Sequence, residues 1–173
     1  MVMPTAPGSG SVLVGVVPQV SRRVLDVAAE YARLHAVGLV VAYVDVTRFV
    51  TYQDPDGTTH STAIDVNLAA SEDDLQSVQA TAEARFAGTD LSWEVTSLVG
   101  DPASALSGLA DTLDAPVIVV GTRRRGLGES VREFFTGSVA ARLTHRQQRP
   151  VLVVPAPPGH EDEALPPLAG ATG

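Results

Sequence analysis

Pro116-Val117-Ile118-Val119-Val120-Gly121 is the stretch that decides the fold. A short, wholly apolar run of this kind reads as a strand covered on both faces, which is the situation of a parallel sheet inside an α/β protein. Working outward, Val12-Leu13-Val14-Gly15-Val16-Val17, Leu39 to Val46 and Val151 to Val154 repeat the same character, and Leu91 to Leu98 alternates as a strand does. Between these runs lie helical signals. Ser21 is placed to cap a helix in which Val24, Ala28, Tyr31, Ala32 and His35 recur at helical spacing, with Gly38 as its stop. Ser71, followed by Glu72, Asp73 and Asp74, reads as the start of a second helix to about Ala87, its acidic residues favoured by the dipole. Gly100-Asp101-Pro102 supplies a turn, an N-cap and a first-turn proline for a third helix, to Leu113. A fourth covers roughly Ser138 to Arg146.

The order is β-α-β-(hairpin)-α-β-α-β-α-β. It predicts an α/β fold: a five-stranded parallel sheet with helices on both faces, doubly wound, plus a β-hairpin insertion after strand two. The hairpin belongs to the insertion 47–66, where Asp54-Pro55-Asp56-Gly57 has proline to preset φ and glycine to accept positive φ. Residues 1–10 and 156–173 are rich in Pro, Gly and Ala without periodicity and read as flexible tails around a domain at 11–155. In such a sheet ligands lie beyond the carboxyl ends of the strands, here the loops 16–20, 45–66, 99–102 and 121–138.

Composition narrows the function. The chain of 173 residues carries 20 acidic against 12 basic groups, a net charge of -8, which argues against nucleic-acid binding through phosphate neutralisation. It has no cysteine, and all its basic residues are arginine, so thiol chemistry, Walker-type phosphate loops and lysine bases are excluded. No apolar run approaches the roughly 18 residues of a membrane span, and the opening MVMPTAPGSGS has no basic residue of the signal-peptide kind. A cytoplasmic protein without membrane contact is the expectation. His35, His60, His145 and His160 are scattered, which gives no metal site, and no nucleophile elbow or triad appears.

The arginines are uneven. Seven of them (Arg123, Arg124, Arg125, Arg132, Arg142, Arg146 and Arg149) fall between 123 and 149 against Glu129 and Glu133, a local excess of about +5. Planar donors in that density suit a phosphate or carboxylate partner, or else complement a helix C-terminus and a solvated face. The loop after the Pro116 strand reads Gly121-Thr122-Arg123-Arg124-Arg125-Gly126-Leu127-Gly128, then runs through Gly137 and Ser138 into a helix. Glycines let backbone N–H groups approach an anion, and Ser138 at a helix start adds a hydroxyl and the positive dipole end. The structural alternative is a strand end at Gly121 and a cap at Ser138. Asp54 and Asp56 lack calcium-loop spacing and read as a turn.

VLVGV (12–16), Gly100-Asp101-Pro102, IVVGTR (118–123), Gly137-Ser138-Val139 and RPVLVVP (149–155) follow the order seen in the universal stress protein family, and the chain resembles it over about 12 to 155. The resemblance implies a homodimer paired through the strand at 151–154, with the 47–66 hairpin as a lid or a second dimer arm. It also implies ATP, with Mg, held over the strand ends by a Gly-x2-Gly-x9-Gly-Ser motif, with an Asp after strand one reading adenine. The chain departs from that pattern in three places. Val17, followed by Pro18, stands where the Asp is expected; Arg124 replaces the second glycine; and twelve residues, not nine, separate Arg124 from Gly137.

On this reading Gly121, Thr122, Arg123, Arg124, Gly126, Gly137, Ser138 and Val139 would hold phosphates, with Gly100 at the neighbouring turn, while Val16, Val17 and Val44 would flank the base. The leading expectation is a non-enzymatic sensor of a nucleotide or related small phosphorylated ligand. The alternatives are a dimeric interaction protein that binds no nucleotide and a slow ATP hydrolase, for which no residue set offers a base.

Overall fold

The computed structural model describes residues 9–18, 20–46, 48–53, 59–63, 68–122 and 139–155, with backbone alone for 48–53, 59–63 and 68–70. The expected tails lie outside these, apart from Ser9 and Gly10. Strands β1 (Val12–Val16), β2 (Leu39–Asp45), β5 (Trp93–Val99), β6 (Ile118–Gly121) and β7 (Val151–Val154) form one sheet in the order β5-β2-β1-β6-β7. Every neighbouring pair in it is parallel. The chain builds outward from β1 to β2 and β5, then returns to the other side of β1 for β6 and β7. That reversal opens a crevice at the carboxyl ends of β1 and β6.

Four helices cover the sheet, and strand parity decides which residues meet them. Val12, Val14, Val16, Leu39, Val41 and Tyr43 point to one face, where they pack with Val24, Leu25, Ala28, Ala29 and Ala32 of α1 (Arg22–Leu34). Val78, Ala82 and Phe86 of α2 (Leu68–Phe86) complete that core. Leu13, Val40, Ala42, Ile118 and Val120 point the other way, against Ala103, Leu106 and Ala110 of α3 (Pro102–Leu113) and Leu143 of α4 (Val139–Arg146). Each fully buried Val, Leu or Ile contributes about 1.5–3 kcal/mol, which is why the near-continuous apolar strands read so clearly. Gly15 belongs to the second face, and a Cβ there would lie 2.6 Å from Leu106 Cδ1, so glycine is what lets α3 approach β1. At the amino end of edge strand β5, Trp93 rests against Phe86 with ring centroids 5.8 Å apart at 54°.

β3 (Arg48–Gln53) and β4 (Thr59–Ala63) pair antiparallel in a separate two-stranded sheet, with a register shift between Val50 and Tyr52. The Asp54-Pro55-Asp56-Gly57 turn lies outside the described residues.

Two helix ends differ from expectation. α1 stops at Leu34, four residues before Gly38, with His35 as its exposed C-cap rather than a member of its buried face. The left-handed residue that follows is Ala36, at φ 54°, so the helix ends at an alanine rather than a glycine. Ser21 occupies the N-cap position of α1 without a side-chain capping bond. α2 begins at Leu68, not at Ser71, so Glu72, Asp73 and Asp74 fall beyond its first turn. Ser71 has another task, described below. α3 starts as read: Pro102 opens it and Asp101 caps it, accepting from the Ser104 N–H at 3.0 Å.

Candidate functional site

The carboxyl rim of the sheet gathers residues from four strands. Val16 is buried, and the chain turns out after it, so Val17 is 43% exposed. Tyr43 pairs with Val16 in the parallel register, which puts Val44 opposite Val17 on the side of α3 and α4. Val44 packs, half-buried, against the second core, and Val46 beyond it is 51% exposed. Gly121 ends β6, and the Thr122 N–H donates to the Val154 carbonyl at 3.0 Å. Gly100, at φ 103°, donates its N–H to the Asp45 carbonyl at 3.0 Å, tying the end of β5 to the end of β2.

Gly121 has a packing reason to be glycine. A Cβ on it would lie 2.9 Å from Val24 Cγ2, because α1 crosses directly over the end of β6. Arg123, Arg124, Gly126, Gly137 and Ser138 lie outside the described residues; Val139 is the first described residue of α4.

Three of the seven clustered arginines are engaged within the fold. Arg142 pairs with Asp101, Arg146 donates to the Ser104 hydroxyl at 2.6 Å, and Arg149 pairs with Asp111 and reaches Asp114 at 3.4 Å and the Ala115 carbonyl at 2.9 Å. They fasten α4 and the start of β7 to α3, so the local excess of charge read along the sequence is partly neutralised in space. His145 and Arg146 close the last turn of α4, where the dipole favours cations. Desolvation pulls the Asp101 carboxyl upward, but hydrogen bonds from Arg142 and Ser104 outweigh it and hold the group below its ordinary value.

Sequence reading missed a polar pair of contacts at the end of β2. The Ser71 hydroxyl donates to Asp45 at 2.6 Å, and Asp45 is 3% exposed. Two residues earlier on the same face, the Tyr43 hydroxyl donates to Asp74 at 3.1 Å. Burial first, then the Asp74 carboxylate, push the Tyr43 phenol up to about 12. The available signal was Asp45 itself, the lone carboxylate inside the run Leu39 to Val46.

The universal stress protein family model matches residues 9–155. The chain belongs to the universal stress protein family. No curated protein matches it. Among solved structures, a universal stress protein in complex with cAMP is 27% identical, with 85% of this chain and 97% of that one covered at a TM-score of 0.54. The Archaeoglobus fulgidus universal stress protein in complex with dAMP is 24% identical over 88% and 99% at 0.53. A family member from Burkholderia pseudomallei is 26% identical over 87% and 100% at 0.51. The five-stranded parallel sheet with helices on both faces is therefore the universal stress fold. Among the described residues of this family member, no helix is long and apolar enough to cross a membrane, and no group of three or more His, Cys, Asp or Glu is placed to hold a metal.

Proposed function

We propose that this universal stress protein senses a nucleotide, ATP or a related phosphorylated ligand, over the carboxyl rim of its sheet, without robust turnover. The observation that carries this is the rim itself. Exposed Val17, half-buried Val44 and exposed Val46 offer apolar surface beside Gly121, at the crevice where strand order reverses. A family member 27% identical, solved with cAMP, supports the class of ligand. Val16, Val17 and Val44 would flank the ring; Gly100, Gly121, Thr122, Arg123, Arg124, Gly126, Gly137, Ser138 and Val139 would serve the phosphates. Arg123 and Arg124 would supply charge-assisted bonds in place of backbone ones. Any Mg would be held through the phosphates. The protein would act in the cytoplasm as a homodimer joined through β7, with the 47–66 insertion as lid or arm.

A second reading is a dimeric interaction protein that takes no nucleotide. Its support is the engagement of Arg142, Arg146 and Arg149 with α3, which shows clustered arginines in this chain serving the scaffold. Slow hydrolysis has less behind it, since Asp101, the nearest carboxylate considered as a base, already caps α3 and binds Arg142.

The test is calorimetric titration of the full chain with Mg-ATP at low salt, where arginine–phosphate attraction is least screened. Saturable heat at micromolar affinity, weakened by Arg124→Ala and by Ser138→Ala with folding intact, is expected. No heat at millimolar ATP overturns the proposal in favour of the interaction protein.

A further inference from the structure

Among the described residues, the polar side chains around the rim already have partners. Asp45, the carboxylate at the end of β2, is buried and accepts from Ser71. Asp101, at the end of β5, accepts from Ser104 and Arg142. Pro18 has no N–H, and its carbonyl faces α2, where the Ser77 hydroxyl donates to it at 3.4 Å. What β1 and β2 leave to solvent at the rim is hydrocarbon. Val17 and Val46 are two of the four large hydrophobic residues exposed among those described. By register they share the face of α3 and α4, with Val44 opposite Val17 and Val46 two residues further along β2.

From this we infer that the rim grips the ring of its ligand by apolar contact alone and leaves the hydrogen-bonding edge of the base unread, so that purine nucleotides are accepted without regard to the base. This rests on the nucleotide reading above and specifies its substrate class. The physical reason is that discrimination between bases requires a fixed donor or acceptor facing the exocyclic groups. A site with such a group rejects the analogue that cannot satisfy it, whereas an apolar wall does not. β-Branched valines have few rotamers and form a firm wall, which suits a flat ring and is indifferent to whether position 6 of the purine carries an amine or a carbonyl.

The experiment titrates the full chain, in one buffer with Mg, with ATP, GTP and inorganic triphosphate. Dissociation constants for ATP and GTP within about threefold of each other, both at least about tenfold tighter than triphosphate, are expected. ATP binding about tenfold or more tighter than GTP overturns the inference while leaving nucleotide binding intact. Triphosphate binding as tightly as both nucleotides overturns it too, because the ring then contributes nothing. Binding of none of the three overturns the nucleotide reading itself, and the inference with it.

Val17→Asp is the gain-of-selectivity variant. It sets an acceptor on an exposed position, where the adenine amine can donate and the guanine carbonyl is repelled, and the ratio of ATP to GTP affinity should rise by about tenfold. Val17→Asn, with both donor and acceptor, should leave that ratio near the parent value. An unchanged ratio in Val17→Asp, with an unchanged unfolding midpoint, would place the ring away from Val17 and overturn the inference.

Discussion

The Ser71 hydroxyl donates to the Asp45 carboxylate across 2.6 Å, joining the second turn of α2 to the carboxyl end of β2. Asp45 is buried, so losing a donor costs the carboxylate solvation that water cannot restore. Ser71→Ala is expected to destabilise the protein by about 1–3 kcal/mol, seen as a lower midpoint in urea with unchanged slope. The neighbouring Glu72 is exposed and serves as the control: Glu72→Ser should move the midpoint little, by about 0.5 kcal/mol or less.

Tyr43 and Asp74 make the companion contact, and it has a signature in alkaline solution. The folded phenol, pushed up to about 12, keeps its proton where the unfolded one, near 10.0, has lost it. The stability it lends is therefore whole below about pH 10 and declines as pH rises from there toward 12. Ultraviolet titration should show one tyrosine ionising later than the others, and Tyr43→Phe should remove that late step.

Asp101 answers at the opposite end of the scale. Its folded carboxyl is held below the ordinary value, so its contribution is present above the unfolded pKa and lost as pH falls through the folded one. Asp101→Asn keeps a competent cap for α3 but loses the charge facing Arg142, and the acid limb of the stability profile should flatten. Asp101→Ala loses the cap as well and should cost about 1 kcal/mol at neutral pH.

Ala36 holds a left-handed conformation that costs an L-residue roughly 1–2 kcal/mol. Ala36→Gly is expected to raise the unfolding midpoint, by up to about 1 kcal/mol after glycine's greater freedom in the unfolded chain is subtracted. A lower midpoint would mean that the turn is not strained.

Gly121 separates scaffold from site. Gly121→Ala sets a methyl 2.9 Å from Val24 Cγ2 and should destabilise the apo protein by about 1–3 kcal/mol. Combining it with Val24→Ala should cost less than the two singly, since the second change vacates the space the first needs. Additive costs would mean that α1 does not press on Gly121.

The strands were legible because burial on both faces leaves a nearly unbroken apolar run, as in Pro116 to Val120 and Val12 to Val17, and α3 was legible because Asp101-Pro102 is a local signal. Helix ends were less so where the deciding contact is distant. Ser71 looks like a cap in sequence, yet its partner is Asp45, 26 residues earlier, and the chain had already entered α2 at Leu68. Ala36 hides for another reason: nothing local marks an alanine as the left-handed residue when Gly38 stands two places on. At the candidate site, Val17 and Val44 could be placed from the register of β1 and β2. The destinations of Arg142, Arg146 and Arg149 could not, because their acidic and hydroxyl partners lie 35 or more residues away along the chain.

The contact between Trp93 and Phe86 gives the molecule a built-in spectroscopic probe. Trp93 is the sole tryptophan and stands at the amino end of β5, a strand's length from the rim at Val99 and Gly100. Its emission is thus set by the packing of α2 on the sheet edge, so fluorescence can follow unfolding of every variant above while a ligand is titrated at the opposite end.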